Sequence, residues 1–453
     1  MPAMPGKHCQ KHSFITLLIV CALTPSMLLC DDWPSWRGPN HDGSSEEKSA
    51  PEKFGPEENV KWKASLPGPA SCTPIIIGKQ VFLTTFDRKT STVSALALDR
   101  ENGKTLWSRL LGKGEDDRNQ GTENFLAAPS PATNGKLVFF LTGRGDLSSY
   151  DLAGKKSWSW NAQERYGDFN CQFGYGSSPL LSNDKLFIQV LHRDSRYKDL
   201  EKVGKFTRES YLLAIDPPTG EVLYRHVRKS DAVAESLESY STPIPRRVGD
   251  RTEILVVGGD TLSAHDPATG RELWRHGGWN PEKITHWRMV TSPVAGGGLV
   301  YASAPKFGPV IAIDSSGSAT KVSWKLERDT TDTPTPLFYR GKLYVLNGRK
   351  RVLNCVDPKT GEVLRKSRLP GFRYMRASPT AAAGKIYMIN ADGEVVVVAA
   401  HSDDDERGKD GKPPAFEILN NAKMGGYPAR SSISIAYGNL FIRTAEALYC
   451  IGK

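Results

Sequence analysis

From residue 54 onward the chain shows no sustained helical period. Short apolar runs end in Asp, cross a turn containing Gly, and resume with an apolar residue, often Trp or Tyr. Four copies are plain: the runs ending at Asp99, Asp216, Asp266 and Asp357. They are followed by Gly103, Gly220, Gly270 and Gly361, and the first three then reach Trp107, Tyr224 and Trp274. Shorter copies link Asp151, Gly154 and Trp158, and Asp314, Gly317 and Trp324. The pattern predicts β-hairpins. An Asp carboxylate accepts hydrogen bonds from its own turn backbone, Gly supplies positive φ, and apolar strands flank both.

A second element precedes each hairpin: Ser or Thr, then Pro, then an apolar stretch and a further strand. It occurs at Thr73-Pro74, Ser130-Pro131, Ser178-Pro179, Thr242-Pro243, Ser292-Pro293, Thr333-Pro334 and Ser378-Pro379, with a degenerate eighth copy at Ser431-Ser432. Each unit therefore holds four strands, and units begin about 40–65 residues apart, the spacing of propeller blades with loop insertions. The last unit stops near Ile451 without a fourth strand. The segment Asn59–Leu66, around Trp62, stands alone near the front and resembles the fourth strands elsewhere. Pairing the two removes an exposed sheet edge. The expectation is an all-β, eight-bladed β-propeller whose last blade is closed by an N-terminal strand. Its domain plan is 1–30 signal peptide, 31–53 N-terminal extension and 54–453 propeller.

These repeats resemble those of the pyrroloquinoline-quinone (PQQ) type, over roughly residues 54–453. The opening Trp33, Trp36, Arg37, Gly38 and Gly43 resembles the start of secreted bacterial PQQ-like propeller proteins. The repeat type serves PQQ-dependent alcohol dehydrogenases and also the non-catalytic propeller subunit of the outer-membrane β-barrel assembly machinery. The resemblance therefore implies a fold and leaves the activity open.

Composition refines this picture. The 42 Gly and 30 Pro among 453 residues suit many short strands. The net charge of +10 is scattered and forms no nucleic-acid-binding run, so an anionic polymer or lipid head group is the acidic partner it would accommodate. Lys7, His8, Lys11 and His12 precede the apolar run 14–23, which is too short to span a bilayer and reads as a secretory signal. Export to the periplasm, the outer membrane surface or the exterior follows. Cys30 is either the small residue at the cleavage point or the site of a lipid anchor. Cys355 and Cys450 fall where other repeats have Ala97, Ala214, Ala264 and Ala312, as small apolar residues of a tight interior. No metal-spaced cysteine pair occurs, and nothing in the spacing supports a bridge between Cys72 and Cys171.

In such a blade the loops after the fourth strand share a face with those between the second and third. Five long loops bearing aromatic or Arg side chains each precede an inner strand. They carry Asn124, Tyr166, Phe173, Tyr175, His286, Trp287, Arg288, Arg373, Tyr374, Arg376, Tyr427 and Arg430. Convergence on the channel mouth would make a ligand-binding funnel; the same side chains would equally serve as a packed plug. The 192–210 insertion is expected over the same face, and the Asp-rich 401–415 stretch over the opposite one. The repeat Trp residues read as inter-blade packing.

A PQQ dehydrogenase would need a stacking Trp, a calcium held by carboxylate and amide groups, a base Asp and usually adjacent cysteines. The chain lacks a Cys-Cys pair and lacks GxSxG, HExxH and P-loop patterns. No catalytic residue, metal ligand or cofactor is assigned. The reading is a non-catalytic envelope or secreted propeller binding a protein or polymer. A PQQ- and calcium-dependent dehydrogenase and a carbohydrate-binding propeller are the alternatives.

Overall fold

The computed structural model describes residues 1–2, 31–114, 125–194, 209–317, 319–401 and 412–452. Their strands form eight four-stranded antiparallel sheets. In chain order, blade 1 holds β2 (Ile75–Ile77), β3 (Gln80–Asp87), β4 (Thr92–Asp99) and β5 (Thr105–Lys113). Blades 2 to 7 repeat this order, with innermost strands at Ala132–Thr133, Leu180–Ser182, Ile244–Val248, Val294–Gly296, Leu337–Tyr339 and Thr380–Ala382. Blade 8 runs through strands Ser434–Ala436, Asn439–Arg443 and Ala447–Ile451, and its outermost strand is β1 (Val60–Ser65), antiparallel to Ala447–Ile451 with Trp62 opposite Cys450. The eight-bladed propeller and its closure are as the sequence predicts. The one α-helix among the described residues is the short α1 (Ala162–Tyr166).

The hairpin chemistry is visible in the turns. Asp99 Oδ1 accepts from the N–H of Glu101 and Asn102, and Asp266 Oδ1 from Ala268 and Thr269. The following Gly has a second duty. Trp158 lays its ring against Gly220 of the next blade, where an added Cβ would come within 2.4 Å of the indole, and its Nε1–H donates to the Pro217 carbonyl at 2.8 Å. Trp62, Trp107 and Trp324 dock on Gly103, Gly154 and Gly361 in the same way. Blade 4 departs from the pattern: Trp274 donates to Glu253 of its own blade. Cys355 and Cys450 sit between Tyr344 and Arg365 and between Phe441 and Trp62, the register of Ala97 between Phe82 and Trp107. All four described cysteines are free and buried.

The hydroxyls of the Ser/Thr-Pro element stitch the blades together around the axis. The N–H of Thr73 donates to Ser130 Oγ, Ser130 to Ser178, Ser178 to Thr242, Thr242 to Ser292, Ser292 to Thr335, Thr335 to Ser378 and Ser378 to Ser432, all at 2.7–3.2 Å. This corrects one sequence assignment. In blade 6 the repeat element is Thr335-Pro336, two residues beyond Thr333-Pro334. Both dipeptides are Thr-Pro, and only the later one puts its hydroxyl beside Ser292 N–H. Among the described residues no matching bond joins Ser432 to Thr73. That seam is held instead by buried Arg443, whose Nη1 donates to Thr84 O at 2.6 Å and lies 2.7 Å from Cys72 Sγ, and by Ser434 Oγ donating to Pro74 O at 2.5 Å.

The N-terminal extension enters on the face of the first-to-second strand turns, where Asp32 accepts from the Gly78 N–H, and runs against the inner strands of blades 1, 2, 6 and 7. Trp33 is fully buried and exchanges two backbone hydrogen bonds with Ile76 of blade 1. Pro34 O accepts from Thr133 of blade 2, and Gly43 O and Ser45 N bond Ala381 of blade 7. Arg37 donates to the carbonyls of Pro336 and Pro379 at 3.0 Å each, so its guanidinium caps the inner strands of blades 6 and 7. Burial pushes its pKa down to about 10, and Asp42 opposes that shift. Gly43, at φ +94°, passes so close to this guanidinium that a Cβ there would fall 2.2 Å from Nη2. The inner strands of blades 1, 2, 6 and 7 thus meet backbone partners and a cation from the extension.

Candidate functional site: the loop face

The opposite face carries the loops between blades and the turns between second and third strands. Two regions differ in character. Over blades 3 and 4 the loops close on a buried polar network. Arg193 Nε donates to Glu238 Oε1, and Arg193 Nη2 donates to Gln172 Oε1 at 2.9 Å. Glu238 Oε2 accepts from the Tyr240 hydroxyl at 2.5 Å and from the Gln172 N–H at 3.0 Å. The Tyr240 oxygen in turn accepts from Phe173 N–H at 3.1 Å. Burial pushes the Glu238 carboxyl up, opposed chiefly by Tyr240 and Arg193. A buried, hydrogen-bonded ion pair of this kind fixes loop geometry.

Over blades 5 to 8 the loop face is open and basic. A cavity of about 680 Å³ lies between blades 5 and 6, lined by Phe307, Glu327, Arg328, Asp329, Arg349, Lys350 and Arg368 among others. A second, of about 260 Å³, shares Phe307 and Arg349 with it and continues past Tyr374, Met375 and Arg376 toward blade 7. The two form one trough. The Met375 N–H donates to Gly348 O at 2.9 Å, which ties the 369–379 loop to the 348–351 turn and sets the trough's floor. Asp329 is held by Lys350 at 2.9 Å and Lys366 at 2.6 Å, and these two lysines keep its carboxyl below its usual range. Arg328, Arg349 and Arg368 are exposed and make no ion pair among the described residues.

At the rim stand the most exposed large apolar side chains of this face, Phe372 at 96% and Tyr427 at 56% exposure. Arg373 lies 5.8 Å from the Tyr427 ring and 3.4 Å from Asp392, and Arg376 lies 4.8 Å from the Tyr374 ring. Arg351 Nη1 donates to Phe372 O at 3.1 Å, joining rim and trough.

The sequence-derived site residues therefore divide. Arg373, Tyr374, Arg376 and Tyr427 come together at this rim, with Arg430 half-buried just ahead of Ser431. Phe173 meets Arg288 at 4.6 Å, and Arg288 pairs with Glu235 at 2.9 Å. Trp287 is half-buried, its N–H donating to Ser236 Oγ, and His286 is exposed. Tyr175 is buried, its hydroxyl donating to Gln189 O at 2.7 Å, while Tyr166 packs on Tyr211 at 5.5 Å. Asn124 lies outside the described residues, as do Cys30, the proposed signal segment, most of the 192–210 insertion and residues 402–411. Sequence reasoning did not single out Arg328, Arg349, Lys350 and Arg368. The available signal was the consecutive Arg349, Lys350 and Arg351, placed in a turn between second and third strands.

A family model described as outer membrane protein assembly factor BamB matches residues 57–188 and 208–413. The chain belongs to that family. No curated protein matches it. Among solved structures, BamB from Moraxella catarrhalis is similar at TM-score 0.58 and 14% identity, covering 86% of this chain and 98% of that one. The quinohemoprotein alcohol dehydrogenase of Comamonas testosteroni gives 0.61 at 13% identity, covering 93% and 81%, and a europium-containing methanol dehydrogenase gives 0.63 at 13%, covering 92% and 90%. At these identities the likeness establishes the propeller fold of this BamB-family chain. Among the described residues no three His, Cys, Asp or Glu side chains gather as metal ligands.

Proposed function

We propose that this BamB-family propeller is a non-catalytic adaptor of the cell envelope, exported by its N-terminal segment, that holds a protein partner on its loop face. The observation that carries this reading is the rim cluster of Phe372, Arg373 and Tyr427. Large aromatic side chains left in water beside Arg are what protein interfaces use as anchors. The family description, an outer membrane assembly factor, points the same way. The opposite face, plugged by the extension through Trp33 and Arg37, supplies rigidity.

The test is site-specific photo-crosslinking in the native host, with a photoreactive phenylalanine at Phe372 and, as control, at the exposed outer-strand Leu223. A discrete adduct with one envelope protein at Phe372 only is expected. Equal adduct patterns at both positions would overturn the reading. So would saturable binding of PQQ with calcium accompanied by alcohol-dependent dye reduction, which would make the protein a dehydrogenase.

A further inference from the structure

We infer that the trough between blades 5 and 7 takes an extended acidic segment of the partner protein, whose carboxylates are read by Arg328, Arg349, Arg368 and Arg376. This rests on the adaptor reading and adds the partner's chemistry to it.

Arg328 comes from the loop between blades 5 and 6, Arg349 from the 348–351 turn, Arg368 from the end of an outer strand (Val363–Arg368) and Arg376 from the loop between blades 6 and 7. Positions far apart in sequence thus bring four guanidinium groups to one concave surface. Three acids also line it: Asp329 is already engaged by two lysines, Asp332 Oδ1 accepts from the Lys306 N–H at 2.8 Å, and Glu327 is exposed, so five cations, counting Lys350, face three carboxylates. Arg328, Arg349 and Arg368 form no ion pair among the described residues. A planar guanidinium is matched by a carboxylate or another oxyanion in bidentate fashion, and several in a row favour a ligand with several such groups.

The rim favours a peptide over a sugar or nucleic-acid polyanion. Phe372 offers a bare apolar ring, and Arg351 bonds the Phe372 carbonyl, so aromatic and cationic surfaces are continuous. Acidic side chains alternating with apolar ones would satisfy both. A uniformly charged chain would leave Phe372 in water.

The test is fluorescence anisotropy of the full chain with a labelled Glu-rich peptide carrying Phe, beside heparin fragments and anionic phosphatidylglycerol vesicles. Saturable peptide binding is expected, weakened about tenfold by Arg349→Glu and severalfold by Arg349→Gln, which preserves the fold if the charge reversal does not. Phe372→Ala should weaken the peptide and leave heparin unaffected. Peptide binding unmoved by either Arg349 variant would overturn the inference, as would heparin or vesicles binding more tightly through the same arginine. Failure here with the Phe372 crosslink intact would leave the adaptor reading standing. Loss of the crosslink would remove both.

Discussion

The backbone N–H of Thr73 donates to the Oγ of Ser130 at 2.9 Å, and this bond between neighbouring blades is repeated around the axis as far as Ser432. Each hydroxyl satisfies a buried amide of the preceding blade, so removing it leaves a donor with no acceptor. Ser130→Ala should cost about 1–3 kcal/mol of stability, and Ser130→Thr much less. The blade 6 pair gives a sharper form of the same test. Thr335→Ala should lower the midpoint of denaturant unfolding, while Thr333→Ala should leave it within error. Equal effects would remove the assignment of Thr335 to the ring.

Docking of Trp158 on Gly220 predicts a distinction between glycines that share positive φ. Gly220→Ala combines backbone strain with a clash against the indole, whereas Gly78→Ala, at φ +55°, meets nothing within 4 Å. The first should cost about 2–4 kcal/mol and the second about 1 kcal/mol, read as shifts in thermal midpoint. Trp158→Ala should bring the cost of Gly220→Ala down toward that of Gly78→Ala, since the clash partner is then gone.

Arg37 is a buried cation whose partners are carbonyls of two different blades. Replacing it by Met strips the carbonyls of Pro336 and Pro379 of their donor and should destabilise by about 2–4 kcal/mol. Arg37→Lys should recover only part of the loss, because one ammonium cannot span both carbonyls as the guanidinium fork does. Denaturant unfolding of the two variants beside the wild type measures both effects.

His192 and His265 are buried, and burial pushes both pKa values down to about 4. His265 is fixed as the neutral tautomer: Nδ1–H donates to Gly270 O at 3.0 Å, and Nε2 accepts from the Ser263 hydroxyl at 2.9 Å. The unfolded chain binds these protons near pH 6.5 and the folded chain only near pH 4. Stability contributed by the neutral rings is therefore full above pH 6.5 and falls as pH drops toward 4. Asp260, pushed up to about 6 by burial, acts oppositely, since the folded state keeps its proton at pH values where the unfolded state has lost it. His265→Gln should flatten the acid side of the stability–pH curve by about one proton's slope, measured by urea melts between pH 4 and 7. An unchanged slope would mean that His265 titrates alike in both states.

The parts of this protein that repeat were legible in the sequence. The turn beginning at Asp266 carries its Asp, Thr and Gly within five residues, and the hydrogen bonds that make it a hairpin are local, so residue types alone announce it. The missing fourth strand after Ile451 and the stray segment around Trp62 implied one another, and the pairing of Trp62 with Cys450 is their meeting. Sequence also placed Cys355 and Cys450 correctly, because the repeat register fixes which side chain faces the interior.

What lies between repeats was decided only in three dimensions. Thr333 and Thr335 each precede Pro, and only the position of the neighbouring blade chooses between their hydroxyls. The path of residues 31–53 depends on open inner-strand edges that exist only once the ring has formed, so Arg37 gives no local sign that two of its carbonyl partners lie 299 and 342 residues away. The basic trough follows the same logic. Arg328, Arg349, Arg368 and Arg376 are ordinary surface residues along the chain, and they become one surface because blade curvature turns the loops of three blades toward a common hollow. Local hydrogen bonding and side-chain period are written in the sequence; distances between separate blades are properties of the closed ring.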